Sequence, residues 1–186
     1  MATLLYSATA SLDGFIAGPG GDMSWLTPHL PGPNPTAERL LSRVGAILAG
    51  ATTFGGEDPN RGTEQEGAFG GQYEGPVVVL THRPAAEAPD GVTFAGDLER
   101  AVALASEAAG DHVVNVLGAD VARQCLEARL LDEVLLFFAP VLLGDGVRVL
   151  DVPGGTRVLL DRVPGETEHW YRVRYRPAPG AGAPAG

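Results

Sequence analysis

Three short, almost uninterrupted apolar runs, Val44–Ala49, Val77–Leu80 and Val113–Leu117, constrain this chain more than any other feature. None alternates polar with apolar residues, so none suits a strand with one face in water. Such runs suit strands covered on both faces, as in a sheet flanked by helices. Helical patterns lie between and after them. Thr36 to Arg43 is a short one. Asp97 to Ala109 opens on a good N-cap and carries an apolar stripe of Leu98, Ala101, Val102, Ala105 and Ala108, and Ala119 to Arg129 is the third.

The ends of the chain complete the pattern. Leu4 to Ala10 reads as a strand. Val134 to Leu143 is a long apolar run with Pro140 inside it, which calls for a bend, a bulge or an edge position. Val158 to Val163 and Glu168 to Tyr175 read as two closing strands. The order predicts one α/β domain over residues 1–176, with a mixed, mostly parallel sheet flanked by helices and antiparallel strands at the C-terminal end. Gly55 to Gly75 is too polar for a core and reads as a surface insertion. Pro177 to Gly186 contains only Pro, Ala and Gly and reads as a disordered tail.

Composition narrows the function. The formal net charge is −10 and the arginines are scattered singly, so the surface repels phosphate backbones and nucleic acid is not an expected partner. Cys125 is the only cysteine, which leaves no intrachain disulfide and no thiolate metal cluster; between Val121 and Leu126 it reads as a buried structural thiol. His29, His82, His112 and His169 have no short ligand spacing, so no metal is expected. No apolar stretch approaches the roughly 20 residues of a membrane span. The N-terminus has neither a basic start nor a long apolar core, so a cytoplasmic location is expected by elimination.

The chemistry-bearing residues sit where strands end. After the first strand, Asp13-Gly14 turns the chain, Ile16 and Ala17 are briefly apolar, and Gly18-Pro19-Gly20-Gly21 opens a loop carrying Asp22 and Trp25. A glycine-rich loop with one large aromatic suits a lid over a small-molecule site. Asp13 is placed to orient a substrate, to relay a proton, or simply to hydrogen-bond the turn it begins. Glu38, in the first helical pattern, reads as part of a solvated helix face. Gly50-Ala51-Thr52-Thr53-Phe54 follows the second strand: a tight strand-to-helix turn, or a place where N–H groups and hydroxyls hold phosphate oxygens. Thr81-His82-Arg83-Pro84 is a polar surface turn or a phosphomonoester site, since Arg binds such a group bidentately. Leu117-Gly118-Ala119-Asp120-Val121 starts a helix whose N-terminus offers free N–H groups to a diphosphate, as well as being an ordinary turn. All three follow apolar strands, so all can line one sheet edge. Asp132 and Glu133 stand at a strand start, where a structural role is the simpler reading, and Gly144 and Gly146 set backbone conformation. The glycine fingerprint of Rossmann folds is absent, since Met23 falls where the third glycine after Gly18 and Gly20 belongs, and no Gly-Lys-Ser/Thr occurs.

The segments Ser11 to Leu26, Gly50 to Phe54, Gly118-Ala119, Leu131 to Val134 and Ala139 to Gly146 together resemble the dihydrofolate-reductase-like superfamily. In particular they resemble the reductase domain of the bifunctional riboflavin-biosynthesis deaminase–reductases and its stand-alone relatives. It covers nearly all of Leu4 to Tyr175. It implies a dihydrofolate-reductase-like domain, a homodimer, and hydride transfer from NADPH to a small C=N or C=O substrate. Asp13 and Trp25 would be the catalytic residues. Ala17, Gly50, Thr52, Thr53, Thr81, His82, Arg83, Gly118, Ala119, Asp120 and Val121 would hold the cofactor, with the adenosine 2′-phosphate at Thr81 to Arg83. Ala51 departs from the family's Gly-Arg-x-Thr-Tyr pattern, where it replaces the Arg, and Phe15 stands where the riboflavin enzymes commonly have a basic residue. The rival reading is a non-catalytic nucleotide-binding dimer; a flavin-using reductase is a weaker one.

Overall fold

The computed structural model describes residues 2–30, 32–56, 58–64, 66–166 and 169–175. The Pro/Ala/Gly tail expected over Pro177 to Gly186 lies outside the described residues, as does Glu168. The strands are β1 (Thr3–Ser11), β2 (Phe15–Ala17), β3 (Val44–Gly50), β4 (Val77–Leu80), β5 (Val92–Ala95), β6 (Val113–Leu117), β7 (Glu133–Ala139), β8 (Val147–Arg148), β9 (Leu159–Arg162) and β10 (His169–Arg174). The helices are α1 (Pro35–Leu41), α2 (Ala51–Phe54), α3 (Leu98–Ala109) and α4 (Ala119–Glu127).

Eight strands form one sheet in the order β5-β4-β3-β6-β1-β7-β10-β9. Pairing is parallel from β5 through β7 and antiparallel at β7–β10 and β10–β9. This is the mixed, mostly parallel sheet the apolar runs predict. Strand alternation sends neighbouring residues to opposite faces. Leu4, Tyr6, Val114 and Val116 pack with Ala101 and Ala105 of α3 and with Val121 and Cys125 of α4. Leu5, Val113, Leu135 and Trp170 pack with Leu40 of α1 on the other face. Both faces are therefore covered, which is why the central strands read as continuous apolar runs.

Local signals account for several element ends. Asp97 Oδ1 accepts a hydrogen bond from the Arg100 N–H (2.8 Å), capping α3 as expected. On that helix the buried stripe is Ala101, Ala105 and Ala109, so Ala109 rather than Ala108 faces the sheet. Asp132 Oδ2 accepts from the Leu4 N–H (2.9 Å), and the buried Glu133 accepts from Trp170 Nε1 (2.8 Å), giving both acids structural roles. Strand β7 ends at Ala139, and Pro140 lies beyond it. Of the bend, bulge or edge position expected for the run holding Pro140, the edge does not apply to β7, which is paired on one side with β1 and on the other with β10. Strand β5 escapes sequence reading because Val92-Thr93-Phe94-Ala95 is only four residues long and Thr93 interrupts its apolar run.

Candidate functional site

A cleft of about 330 Å3 opens where the parallel strands end. It is lined from Gly50 to Thr53 after β3, by Leu80, Thr81 and His82 after β4, by Gly96 to Leu98 after β5, and by Gly118, Asp120, Val121 and Gln124 after β6. Open parallel sheets bind ligands at this edge because every crossover returns from it and leaves helix N-termini exposed. Gly50 and Gly118 precede α2 and α4 as N-caps with no side-chain hydrogen bond, so the first-turn N–H groups of these helices have no capping oxygen. Gly118 has φ +94, and a Cβ built there would run into the Thr53 hydroxyl. Only glycine fits that conformation and that approach.

The electrostatics are mild. No Arg or Lys lines the cleft, and its two carboxylates are engaged. Asp97 caps α3. Asp120 accepts from Arg123 (2.6 Å) and from Gln124 Nε2 (2.8 Å), and the Arg123 hydrogen bond holds its carboxyl below the usual range. The cleft thus offers hydroxyls, an imidazole and unspent N–H groups, a donor set suited to phosphate oxygens.

The structure brings Gly50, Thr52, Thr53, Thr81, His82, Gly118, Asp120 and Val121 into one lining. Arg83 lies on the same exposed turn, where its N–H donates to Thr81 Oγ1 (3.1 Å), but it is not part of the lining. Ala119 faces a second cleft instead. Gly96, Asp97, Leu98 and Gln124 are cleft residues that sequence reading missed. The cap at Asp97 was legible as a helix start, but with the strand before it unread nothing placed that start at the sheet edge.

Residues 2–163 match the family described as RibD C-terminal domain. The chain belongs to that family. A protein from Shewanella sp. PV-4 assigned to riboflavin biosynthesis is similar in structure (TM-score 0.72, 25% identity, covering 94% of this chain and 100% of that one). So is the Thermotoga maritima diaminohydroxyphosphoribosylaminopyrimidine deaminase/5-amino-6-(5-phosphoribosylamino)uracil reductase (TM-score 0.56, 22% identity), of which the match spans 55% while covering 92% of this chain. Dihydrofolate reductase from Enterococcus faecalis, complexed with NADP(H), has the same fold (TM-score 0.51, 16% identity, 92% of each chain). A search of the curated proteins gave no match.

In this RibD C-terminal domain the glycine-rich loop expected to serve as a lid leaves β2 as two short 3-10 turns, Pro19–Gly21 and Ser24–His29. Trp25 is half-buried there, and its Nε1 is buried without a hydrogen-bond partner. Ala17 is buried in β2, paired with Val147. Asp13 is bound on every side: it accepts from Ser11 Oγ (2.6 Å), from Leu143 N–H (3.1 Å to Oδ1) and from Gly144 N–H (2.7 Å). The Ser11 hydroxyl, helped by the two N–H groups, holds its pKa down at about 2. Asp13 is therefore a carboxylate at neutral pH whose oxygens reach beyond the turn it begins and tie that turn to the Leu143-Gly144 loop. Glu38 is exposed. The Cys125 thiol is buried, which pushes its pKa up to about 12 and makes it a poor nucleophile. Among the described residues no group of three or more His, Cys, Asp or Glu side chains is arranged to hold a metal ion. None of the described helices is long and apolar enough to cross a membrane.

Proposed function

We propose that the protein is a reductase that uses NADPH to reduce a small C=N or C=O acceptor, of pterin, pyrimidine or simple carbonyl type. The observation that carries this reading is the first cleft. Glycine-capped helix starts, two threonine hydroxyls and a Thr-His turn converge there at the C-terminal edge of a parallel sheet. Family membership supports it, as does the similarity to a named uracil reductase and to a dihydrofolate reductase complexed with NADP(H).

The residues fit a dinucleotide. The close approach of Gly118 to Thr53 leaves no room for a side chain beside the free first-turn N–H groups, which suits a diphosphate there. Thr81 and His82 are the donors for a 2′-phosphate, and the exposed Arg83 adds a charge from the same turn. When bound, NADPH supplies the hydride. The chain's own part is to bind, to orient and to keep water out. Trp25 and the lid around it cover the reacting end, and Asp13 positions that lid by fixing its root.

The test is NADPH oxidation in the presence of pterins, folates, ribosylaminopyrimidines and simple carbonyls. Turnover of at least one class is the expected result. Tight nucleotide binding with no turnover of any would instead identify a nucleotide-binding protein.

A further inference from the structure

Asp120 stands in an awkward place for an anion site. It lies in the first turn of α4, beside the N–H groups that suit a diphosphate, and it lines the first cleft. A carboxylate there is itself drawn to the helix start, because the free N–H groups and the helix dipole stabilise any negative group nearby. It is a built-in competitor for the donors a diphosphate needs. Among the described residues no Arg or Lys lines this cleft, and the chain carries a net charge of −10, so a loose carboxylate would also repel the ligand with little to offset it. The Asp120 side chain is 71% exposed, so packing does not fix it. Two side chains one turn further along do. Arg123 Nη2 donates to Oδ1 (2.6 Å) and Gln124 Nε2 donates to Oδ2 (2.8 Å). Residues three and four positions on share a helix face with Asp120, so this pair draws both oxygens towards the C-terminal side. Arg123 is held in turn by Glu127, which accepts from Nη1 (2.6 Å).

We propose that Arg123 is a positioning residue for the dinucleotide site: with Gln124 it holds the Asp120 carboxylate back along α4 and keeps the first-turn N–H groups open to a diphosphate. This rests on the dinucleotide reading of the first cleft. It changes the role that the sequence resemblance implies for Asp120, from a residue that holds the cofactor to a restrained competitor. Arg123 acts on the site through Asp120, since it lines the second cleft and not the first, and Asp120 is the one residue common to the two linings. The guanidinium suits the task because its fork reaches Asp120 with one nitrogen while the other stays tied to Glu127. The diphosphate is common to NADPH and NADH, so the restraint serves both nucleotides and has no part in choosing between them.

The test is a double-variant cycle on the full chain, read by titration with NADPH, NADH and inorganic pyrophosphate. Arg123→Met should weaken all three by about fivefold, the scale of an exposed ion pair. Asp120→Ala should bind them at least as tightly as the parent. In the Asp120→Ala background, Arg123→Met should cost less than about twofold, because the competitor it restrains is gone. A merely structural role for Arg123 would not be rescued in this way, and thermal melting without ligand checks that each variant is folded. The proposal is overturned if Arg123→Met binds as the parent does, or if its loss is as large without Asp120, which would make Arg123 a direct attractor or a helix support. Weaker binding to Asp120→Ala would make Asp120 a ligand and overturn it too. If the parent binds pyrophosphate with this coupling but neither dinucleotide, the dinucleotide reading fails and the role of Arg123 stands. If the parent binds none of the three, both fail.

Discussion

Asp13 joins two loops 130 residues apart, through Leu143, and its motif is visible in the sequence while its partner is not. Asp-Gly after a strand announces a turn whether the carboxylate caps that turn or reaches across the molecule. Only the folded loop decides. Because the pKa falls from 3.8 to about 2 on folding, the tie stabilises the native state above the ordinary carboxylate range and is lost as pH drops from about 4 through about 2. Melting temperatures of the parent and Asp13→Asn should differ by a constant amount between neutral pH and about pH 4, with the gap closing below. A gap that persists unchanged at the acid end would remove the carboxylate from the account. Asp13→Asn should also lower turnover more than NADPH affinity, since its bonds reach the lid root and not the first cleft. Arg83 is the opposite case. Its type suggested a phosphate ligand and its turn was legible, but its side chain does not line the cleft. Arg83→Ala should reduce NADPH affinity by no more than about fivefold, the worth of an exposed charge at about 1 kcal/mol, and leave NADH nearly unaffected, as titration with both nucleotides would reveal.

At the scale of elements, the parallel core was readable because Val-rich runs buried on two faces have no other use. The short strands were not. Strand β5 has four residues and β8 two, and neither carries a period that outweighs its polar neighbours. Leaving β5 unread hid the Gly96-Asp97 part of the site. Strand β6 was read correctly, yet it contains an anomaly. Asn115 is fully buried between Leu5 and Ile47, and its amide oxygen and nitrogen have no partner. Leaving such a group unsatisfied costs about 1–3 kcal/mol. Asn115→Leu, nearly the same shape, should therefore raise stability by about that amount in denaturant melts. A loss of stability would mean that a polar partner such as an ordered water is held there.

At the scale of the molecule, the apolar surplus lies beyond β7. Cross-strand register puts Phe138, His169, Tyr171 and Leu160 on one face of the β7-β10-β9 end. Phe138 (41%) and Leu160 (48%) are exposed there, and Phe138 meets the His169 ring edge-on at 5.0 Å. Strand β9 is the outermost strand on that side. Exposed apolar groups beside an open edge invite pairing, and a two-fold interface removes the hazard. The homodimer we propose should therefore use this end. Light scattering at micromolar concentration should give twice the chain mass, and Leu160→Asp should shift it towards one. A monomeric parent would contradict the proposal. The sequence indicated apolar excess in the right region but misplaced it, because pairing on both sides of β7 depends on β10 returning antiparallel.

Direct titration with NADPH tests most directly whether the first cleft holds a dinucleotide at the start of α4. Saturable one-site binding to the parent is the expected result. Gly118→Val, whose side chain would fill the space beside Thr53, should lose about tenfold or more for both NADPH and NADH. Melting of that variant in the absence of nucleotide checks that it is folded. No binding to the parent, or undiminished binding to a folded Gly118→Val, would contradict it.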